Sequence, residues 1–370
     1  MTEPIRVAVN LTWLAPGRVG GSEEYLVRQL SALPVDGSIA PTIYCQRSLV
    51  DAYPDLAEAW PLVPMPLRRD RRATRILAEH TWLAARTRSA DLVHHGGGTT
   101  PLIGGGPIVL TIHDLQYLRF PEYFGRSRRA YLDRMVPRSV AGADVITVPT
   151  SYVAGRVADS FGVDTTQIVV VPHGVPQGRA PSAGEIATVR KSYGLGDRPF
   201  VIYPAITHPH KGHLLLVEML SHLDPDVALV LIGGVGDAED ALQRAIAASP
   251  VSHRVFRPGR VPAGDRDALI AGAAVMAFPS EYEGFGAPVI EAMTLATPVV
   301  CSRAEAVVEV AGRAAVIVEE ATAEAWAAAV ERAMVDSARL IELGESRCRT
   351  FTPEISGRAL AEAYRRALLR

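Results

Sequence analysis

The chain has 370 residues and a formal net charge of −2, with 48% hydrophobic and 21% charged residues. At roughly 100–200 residues per domain, this length predicts two or three domains whose cores need neither disulfides nor metals for stability. The balanced charge gives no electrostatic reason to expect nucleic acid as a partner. Three widely spaced cysteines without a Cys-x-x-Cys pair argue against a disulfide framework and favour a reducing compartment.

No stretch of the sequence reaches the roughly 18 consecutive apolar residues that a membrane-spanning helix needs. The first residues, MTEPIRVAVNL, lack a cationic segment ahead of an apolar one, so they do not have the pattern of a secretory signal. We therefore expect a cytoplasmic protein. The alternative is a protein that binds peripherally to the inner face of the membrane.

The reason to consider membrane contact is an arginine-rich segment in which apolar residues are interleaved. Its arginines are Arg68, Arg69, Arg71, Arg72, Arg75, Arg86 and Arg88. One interpretation is a solvated helix that buries its apolar side. The other is a basic amphipathic face, from Arg68 to Arg88, that contacts anionic lipid or an anionic acceptor.

Short apolar runs rich in β-branched residues alternate with helical stretches, which is the pattern of βαβ units and parallel sheets. The first set of predicted strands comprises residues 5–11, 42–45, 92–94, 108–112, 145–148 and 168–171. The second set comprises residues 200–203, 228–232, 255–256, 275–278, 299–301 and 315–318. The sequence therefore predicts an α/β fold with two Rossmann-like parallel-sheet domains.

A proline- and glycine-rich stretch without periodicity, residues 172–185, separates the two sets of strands and is typical of an interdomain linker. We place the boundary near residue 178. The N-terminal domain then covers residues 1–178 and the C-terminal domain residues 179–351.

The last segment, residues 352–370, has the pattern of an amphipathic helix. Thr352 is the predicted N-cap, Pro353 suits the first turn, and apolar residues recur at positions 360, 364 and 368. Such a helix needs a surface on which to dock.

Two positions in the first half lie at carboxyl ends of predicted strands, where open α/β sheets bind ligands. Gly20 and Gly21 follow the first strand and precede a helix with Ser22 as its predicted N-cap, and glycine lets a ligand approach the backbone closely. His113 and Asp114 follow the strand that ends at residue 112. No Gly-x-Gly-x-x-Gly follows the first strand, so the NAD fingerprint is absent.

In the second half, the segment YPAITHPHKGH, residues 203–213, follows the first strand and leads into a helical stretch. Lys211 is one of only two lysines in the chain. At a helix start, its ammonium can place a positive charge on a diphosphate. A solvated lysine without function is the alternative.

The most informative segment is FPSEYEGFGAPVIEAM, residues 278–293. Gly284 and Gly286 break the chain after a buried strand, and a helix follows whose first backbone amides can hold a phosphate or sugar hydroxyls. Glu283 and Glu291 flank this helix start, and carboxylates there suit hydroxyl groups. The pattern indicates a polyhydroxylated, phosphorylated ligand, whereas a loop with solvated glutamates is the alternative.

These residues resemble a known family. The run E-G-F-G-x-P-x-x-E-A-M is similar to the E-x7-E motif of retaining GT-B glycosyltransferases, specifically glycosyltransferase family 4. The resemblance implies two Rossmann-like domains that face each other across a cleft, with the last helix crossing back to the N-terminal domain.

The resemblance also implies roles for single residues. Glu283 and His113 would contact the donor sugar, Lys211 the diphosphate and Glu291 the nucleotide ribose, while Phe285 and Gly286 would offer backbone amides. The expected catalytic residues are thus Glu283, His113 and Lys211. The expected donor-binding residues are Gly20, Gly21, Lys211, Phe285, Gly286 and Glu291.

The implied reaction is transfer of a hexose, with mannose from GDP-mannose as first choice, to a small-molecule, glycan or lipid-linked acceptor with retention at the anomeric carbon. The Y-P-A…H-K form is similar to a subgroup associated with GDP-mannose, whereas Ala205 and Ile206 stand where many family members carry a phosphate-binding arginine. A sugar-nucleotide epimerase, a glycan phosphorylase and a non-catalytic sugar-nucleotide-binding protein are the alternatives.

No metal or other cofactor is expected. His208, His210 and His213 lie close together but have no nearby carboxylate or cysteine set that would complete a metal site. Two Asp-x-Asp sequences, at residues 224–226 and 265–267, fall in a predicted turn and a predicted helix, where solvated carboxylates are the ordinary explanation.

Overall fold

The computed structural model of the chain describes residues 3–17, 20–66 and 72–370, except for the side chains of Arg72 and Ala73. These residues form two units. The first comprises Met1–Gly174 and Thr352–Arg370, and the second Val175–Phe351.

The first unit contains a seven-stranded parallel sheet with the order β3-β2-β1-β4-β5-β6-β7. Its strands are Ile5–Leu11 (β1), Ile39–Cys45 (β2), Leu62–Pro64 (β3), Leu92–His95 (β4), Ile108–Thr111 (β5), Val145–Val148 (β6) and Ile168–Val170 (β7). The six expected strands are all present. The edge strand β3 is additional, and sequence patterning missed it because three residues ending in proline carry little strand signal.

Helices cover the two faces of this sheet. They are Gly21–Ser31 (α1), Arg47–Ala52 (α2), Pro54–Ala59 (α3), Arg72–Ala78 (α4), Ala84–Arg86 (α5), Gln116–Arg119 (α6), Arg126–Ala141 (α7) and Ser151–Phe161 (α8), with a π-helical turn, Glu79–Leu83, between α4 and α5. Three arginines of the basic segment, Arg68, Arg69 and Arg71, lie outside the described residues. Arg86 and Arg88 are exposed.

The second unit contains a six-stranded parallel sheet with the order β10-β9-β8-β11-β12-β13. Its strands are Phe200–Pro204 (β8), Ala228–Ile232 (β9), Val255–Gly259 (β10), Val275–Phe278 (β11), Val299–Ser302 (β12) and Ala315–Val318 (β13). Its helices are Ala183–Ser192 (α9), His213–Met219 (α10), Glu239–Ala248 (α11), Ala263–Ala271 (α12), Ala287–Thr294 (α13), Glu305–Ala311 (α14), Ala323–Val335 (α15) and Ser337–Cys348 (α16). The two sheets confirm the expected α/β class.

The final helix, Pro353–Ala367 (α17), belongs to the first unit and packs against α1 and the sheet. Thr352 caps it as expected, because its side chain accepts a hydrogen bond from the Ile355 N–H. Leu360 and Tyr364 are fully buried. The third expected apolar position was wrong: Leu368 follows the helix and is 39% exposed.

An extended segment, residues 171–182, connects the last strand of the first sheet to α9. The two units divide between Gly174 and Val175, within this segment, and the expected boundary near residue 178 lies in it as well. The linker is shorter than expected at its carboxyl end, because Ser182 and Glu185 form a capping box that starts α9 at Ala183.

The three cysteines, Cys45, Cys301 and Cys348, are unpaired and buried. In the part of the chain that the structure describes, no helix has the length and apolar character needed to cross a bilayer.

Candidate donor-binding site

The loop between β11 and α13 carries most of the expected site residues. It leaves the sheet after Phe278 and enters α13 at Ala287, with Gly286 as N-cap at φ 87°. An L side chain at Gly286 would be strained at this φ, and its Cβ would also lie 3.3 Å from Val307 Cγ2. Glycine therefore fixes the turn that aims the first amides of α13 at the carboxyl edge of the sheet, where a helix start favours an anion.

The central contact of the site joins two residues that are 72 positions apart. Lys211 Nζ donates to Glu283 Oε1 over 2.5 Å. The two side chains are 19% and 15% exposed, so the ion pair is only partly shielded and both groups reach the surface. The structure thus brings together the two charged residues that sequence analysis selected on separate segments.

A backbone hydrogen bond holds these two segments together. The Glu281 N–H donates to the His210 carbonyl oxygen over 2.8 Å. Lys211 ends a short 3₁₀ turn, Pro209–Lys211, that leads from β8 towards α10. The lysine is therefore positioned by the backbone of the loop that carries Glu283, and not by its own segment alone.

Phe285 and Glu291 have different surroundings. The Phe285 ring is buried and makes an edge-on contact with Phe351, with ring centroids 5.2 Å apart. Its side chain is thus part of the core, and only its backbone could meet a ligand. Glu291 is partly exposed on α13, about one turn after the loop.

His208, His210 and His213 do not come together as a set of metal ligands in the structure. His208 and His210 stack with ring centroids 5.9 Å apart. His213 packs against Tyr203. Burial lowers the pKa of His210 to about 3 and that of His213 to about 4, so both rings are neutral near pH 7. Over residues 3–17, 20–66 and 72–370, no group of three or more potential ligands is placed to hold a metal ion.

The two Asp-x-Asp sequences have structural partners. Asp224 Oδ1 accepts the backbone N–H of Asp226 in a turn. Asp265, in α12, accepts a hydrogen bond from the Tyr193 hydroxyl over 2.8 Å. Both carboxylates thus stabilise local structure.

Sequence analysis missed a polar network at the loop after β9. The Arg257 guanidinium donates to the carbonyl oxygens of Leu231 and Gly233 and, over 2.9 Å, to Glu239 Oε2. Thr207 Oγ1 also donates to Glu239 Oε2, over 2.6 Å. Burial alone would raise the pKa of Glu239, but these hydrogen bonds outweigh it and lower the pKa to about 2. The network anchors the strand ends on which the site is built.

A second arginine, Arg260, lies near this loop. It is of interest because Ala205 and Ile206 stand where the family resemblance predicts a phosphate-binding arginine. A Cβ built on Gly234 would lie 3.4 Å from Arg260 Nη2 and 3.6 Å from the Ile206 side chain. Arg260 Nη2 and the Ile206 side chain therefore both lie beside Gly234. The glycine-rich sequence after β9, Gly-Gly-x-Gly at residues 233–236, was the signal that could have drawn attention to this loop.

In the first unit, one buried residue, Ile112, separates His113 from the end of β5. His113 Nε2 donates to the Gly96 carbonyl oxygen over 2.8 Å, and its ring lies edge-on to Tyr25. Burial lowers the pKa of His113 to about 4. A carbonyl can only accept, so Nε2 carries the proton and Nδ1 of the neutral ring is left as an acceptor.

The glycine pair after β1 lies at the start of α1, and here one detail of the expectation was wrong. α1 begins at Gly21 with Gly20 as its N-cap at φ 73°, so Ser22 is inside the helix and caps nothing. Glu23, in the first turn, accepts hydrogen bonds from the Gly17 N–H over 2.8 Å and from the Tyr53 hydroxyl over 2.6 Å. This buried carboxylate ties down the preceding loop.

The expected site residues thus fall on the carboxyl edges of two sheets. Gly20, Gly21 and His113 belong to the first unit. The others, namely Lys211, Glu283, Phe285, Gly286 and Glu291, belong to the second.

Comparison with known families gives two matches that together cover most of the chain. Residues 19–179 match the family described as Glycosyltransferase Family 4. Residues 185–347 match the family described as Glycosyl transferases group 1.

Several relatives are mannosyltransferases. An O-antigen chain mannosyltransferase B from Escherichia coli is 27% identical over 62% of this chain and 61% of that protein. A GDP-mannose-dependent alpha-(1-6)-phosphatidylinositol monomannoside mannosyltransferase from Mycolicibacterium smegmatis is 32% identical over 55% of this chain and 56% of that protein. The aligned part of this chain thus spans about three fifths of the length of each of these two relatives. The Mycobacterium tuberculosis protein of the same description is 27% identical over 89% of both chains.

Solved structures extend the likeness to the whole fold. The Anabaena protein HepE, in complex with UDP and glucose, has 17% identity and a TM-score of 0.76 over 97% of this chain and 98% of its own. Sucrose-phosphate synthase from Thermosynechococcus elongatus has 19% identity and a TM-score of 0.76 over 97% of this chain and 98% of its own.

Proposed function

We propose, from the premise that this chain belongs to the family 4 glycosyltransferases of the GT-B fold, that it transfers mannose from GDP-mannose to an acceptor hydroxyl with retention at the anomeric carbon. The relatives described as GDP-mannose-dependent mannosyltransferases support this choice of donor. The observation that carries the proposal is the contact between Lys211 and Glu283 at the carboxyl edge of the second sheet, beside the start of α13.

In the proposed reaction, Lys211 stabilises the leaving group. An ammonium has three N–H donors, and Glu283 takes one of them in the structure, so two remain for the diphosphate oxygens. As the bond between the anomeric carbon and the diphosphate oxygen breaks, negative charge grows on that oxygen, and a charge-assisted contact strengthens in the transition state. The first amides of α13 act in the same direction.

The sugar passes through an oxocarbenium-like state. The acceptor hydroxyl oxygen then forms the new bond to the anomeric carbon on the face from which the diphosphate departs, and its proton moves to the departing phosphate oxygen. Glu283 is a ligand of the sugar hydroxyls and of Lys211 in this scheme, and it forms no covalent intermediate. His113, neutral with Nδ1 as acceptor, takes a hydrogen bond from a donor-sugar hydroxyl.

Arg260 supplies the second positive charge that Ala205 and Ile206 cannot. Its guanidinium lies beside Gly234, as the Ile206 side chain does, and a planar guanidinium can bind two phosphate oxygens at once. Glu291 binds the ribose of the nucleotide, and the reaction needs no metal.

Membrane contact and location are further parts of the proposal. The arginine-rich segment up to Arg88 would attract an anionic leaflet, and Arg86 and Arg88 are exposed. Three unpaired, buried cysteines support a reducing, cytoplasmic environment. The acceptor would then be a lipid-linked molecule presented at the inner face of the membrane.

The test is a donor panel with two variants from one loop. Purified protein is incubated with GDP-, UDP-, ADP- and dTDP-sugars, and binding is measured as a rise in the unfolding temperature. Transfer to alkyl mannosides is then measured in the presence of EDTA. We expect GDP-mannose to give the largest thermal shift and an α-linked product.

Glu283→Gln should lower the transfer rate by a factor on the order of 10² because the sugar and Lys211 lose a charged partner. Glu281→Gln, a change to an exposed residue of the same loop, should leave the rate within about twofold. Full activity of Glu283→Gln would contradict the assigned role. Consumption of donor without acceptor would indicate an epimerase, and donor binding without turnover would indicate a binding protein.

A further inference from the structure

The connection between β4 and β5 is unusual for neighbouring parallel strands. Such strands are ordinarily joined by a crossover helix that covers one face of the sheet. Here residues 96–107 contain no helix. No helix of that connection covers the sheet face around Val93 and Ile108, which are direct register partners.

A cavity of about 410 Å³ lies against this face within the first unit. Its walls come from α5, from the end of α7 and from residues 100–105 of the β4–β5 connection, which lies over it. The volume falls in the range of small-molecule sites, roughly 300–1,000 Å³.

The walls are chemically suited to hydrocarbon. Apolar side chains dominate the lining, including Leu83, Ala84, Val93, Pro101 and Ile108. Among the described residues that form the lining there is no carboxylate, no carboxamide and no phenyl or indole ring. Carbohydrate sites rely on such groups for hydroxyls and ring faces, so this lining favours an alkyl chain over a sugar.

The mouth of the cavity combines exposed apolar side chains with a cation. Leu102 and Ile103, both in the lining, are 57% and 63% exposed. Arg138 is exposed as well and donates only long hydrogen bonds, 3.4 Å each, to the carbonyl oxygens of Pro101 and Leu102. In the described parts of the chain, no carboxylate pairs with this guanidinium.

A buried polar group lies in the lining. Asn10 Oδ1 accepts from the Thr12 N–H, so Asn10 Nδ2 donates to His95 Nδ1, over 3.1 Å. His95 Nε2 therefore carries the proton. His95 is 5% exposed, lines the cavity, and has no second hydrogen-bond partner among the residues that the structure describes.

We propose that this cavity binds the hydrocarbon chain of a lipid acceptor, with its anionic group at Arg138. The inference rests on the proposed function, since it assigns the acceptor to the lipids. An apolar lining, apolar side chains at the mouth and an unpaired cation beside it match the two halves of an anionic amphiphile. His95 Nε2–H is the donor available to an oxygen of the same ligand.

The experiment measures binding to the full-length chain in the absence of any donor. Butyl, hexyl and octyl phosphate are titrated below their micelle concentrations by isothermal calorimetry, with inorganic phosphate as the head-group control. Each added methylene should tighten binding about fourfold until the cavity is full. An affinity that does not change with chain length, or that matches inorganic phosphate, would overturn the proposal.

Matched variants locate the site. Ala84→Phe places a ring in the cavity and should weaken octyl phosphate binding more than tenfold, whereas Ala85→Phe, at the exposed neighbour outside the lining, should leave it unchanged. Arg138→Gln should weaken octyl phosphate but not octyl glucoside. Arg134→Gln, one turn earlier on α7 and outside the lining, is its control. Ala141→Phe fills the cavity from α7 if Ala84→Phe does not fold.

The outcomes separate this proposal from the proposed function. Absent alkyl binding in a protein that transfers mannose to a soluble acceptor would overturn only the cavity assignment. Chain-length-dependent binding in a protein without transferase activity would overturn only the proposed function. If Ala84→Phe and Ala85→Phe weaken octyl phosphate binding equally, the alkyl chain does not bind in this cavity.

Discussion

A lysine and a glutamate that pair in the unliganded protein must serve two purposes. The Lys211–Glu283 contact keeps the ammonium in place at the carboxyl edge, so little side-chain entropy remains to be lost when a diphosphate binds. Glu283 in turn keeps oxygen lone pairs for sugar hydroxyls. This mutual positioning explains why neither residue needs a fully buried environment.

The chain offers an internal control for the lysine. Lys211→Ala should lower the donor-dependent rate by a factor on the order of 10² or more, because a charge-assisted contact to the leaving group is lost. Lys191→Ala, at an exposed position of α9 and the other lysine of the chain, should leave the rate unchanged. Steady-state kinetics with varied donor measure both, and equal rates for the two variants would contradict the role of Lys211.

Predictions for single residues succeeded where a residue determines its own backbone conformation. They failed where distant residues cooperate, or where a neighbouring glycine had already set the turn. Glycine at 286 and proline at 288 indicate a helix start after a strand, and α13 begins there. The Arg257–Glu239 network has no local signature, since its carbonyl partners come from another strand. The Ser22 cap failed because Gly20, at positive φ, had already turned the chain into α1.

At the scale of the elements, α17 is tied to the centre of the first sheet. His94, in the centre of the sheet, hydrogen-bonds the Tyr364 hydroxyl over 2.9 Å and Thr111 over 2.7 Å. α17 also approaches α1 closely. A Cβ built on Gly357 would clash severely with the Ala32 carbonyl oxygen. The absence of a side chain at Gly357 therefore sets the packing distance of the two helices.

Gly357→Ala should destabilise the first unit by about 1–3 kcal/mol, because backbone atoms must move apart. A loss of this size corresponds to a drop of roughly 3–10 °C in unfolding temperature. Gly264→Ala, in α12 with open space around the new methyl group, should be neutral or slightly stabilising. Scanning calorimetry compares the two. An unaltered transition in Gly357→Ala would contradict the close packing.

The strands were predictable because buried parallel strands are continuous β-branched runs. The three-residue β3 was not, and neither was the cavity, which results from an element that is missing. Its only sequence signal is the glycine-rich, aperiodic stretch between β4 and β5. Chain patterning can suggest that no helix forms there, but it cannot say whether neighbouring side chains fill the space.

At the scale of the whole molecule, buried histidines couple stability to pH. Burial lowers the pKa of His94 to about 3 and of His95 to about 4, from about 6.5. At a pH between the folded and unfolded pKa values, the unfolded chain binds protons on these histidines and the folded protein does not. The free energy of unfolding therefore falls as the pH falls from about 6.5 towards 4. The folded protein is therefore more stable at neutral pH than at pH 4.

The unfolding temperature should therefore decrease by several degrees between pH 7 and pH 5. His253→Gln, at an exposed position, is the control and should leave this profile unchanged. Differential scanning fluorimetry across buffers of equal ionic strength measures the effect. An unfolding temperature that stays constant or rises on acidification would contradict neutral buried histidines.

The return of α17 to the first unit has a consequence for biosynthesis. Leu360, Ala361 and Tyr364 belong to the same hydrophobic core as β1 and α1, yet the ribosome makes them only after residues 175–351. The nascent first unit thus cannot complete its core while residues 175–351 are being translated, and this uninterrupted middle segment is free to fold before it. A message truncated ahead of codon 352 would yield a polypeptide with an unfinished amino-terminal half, a natural target for chaperones and proteases.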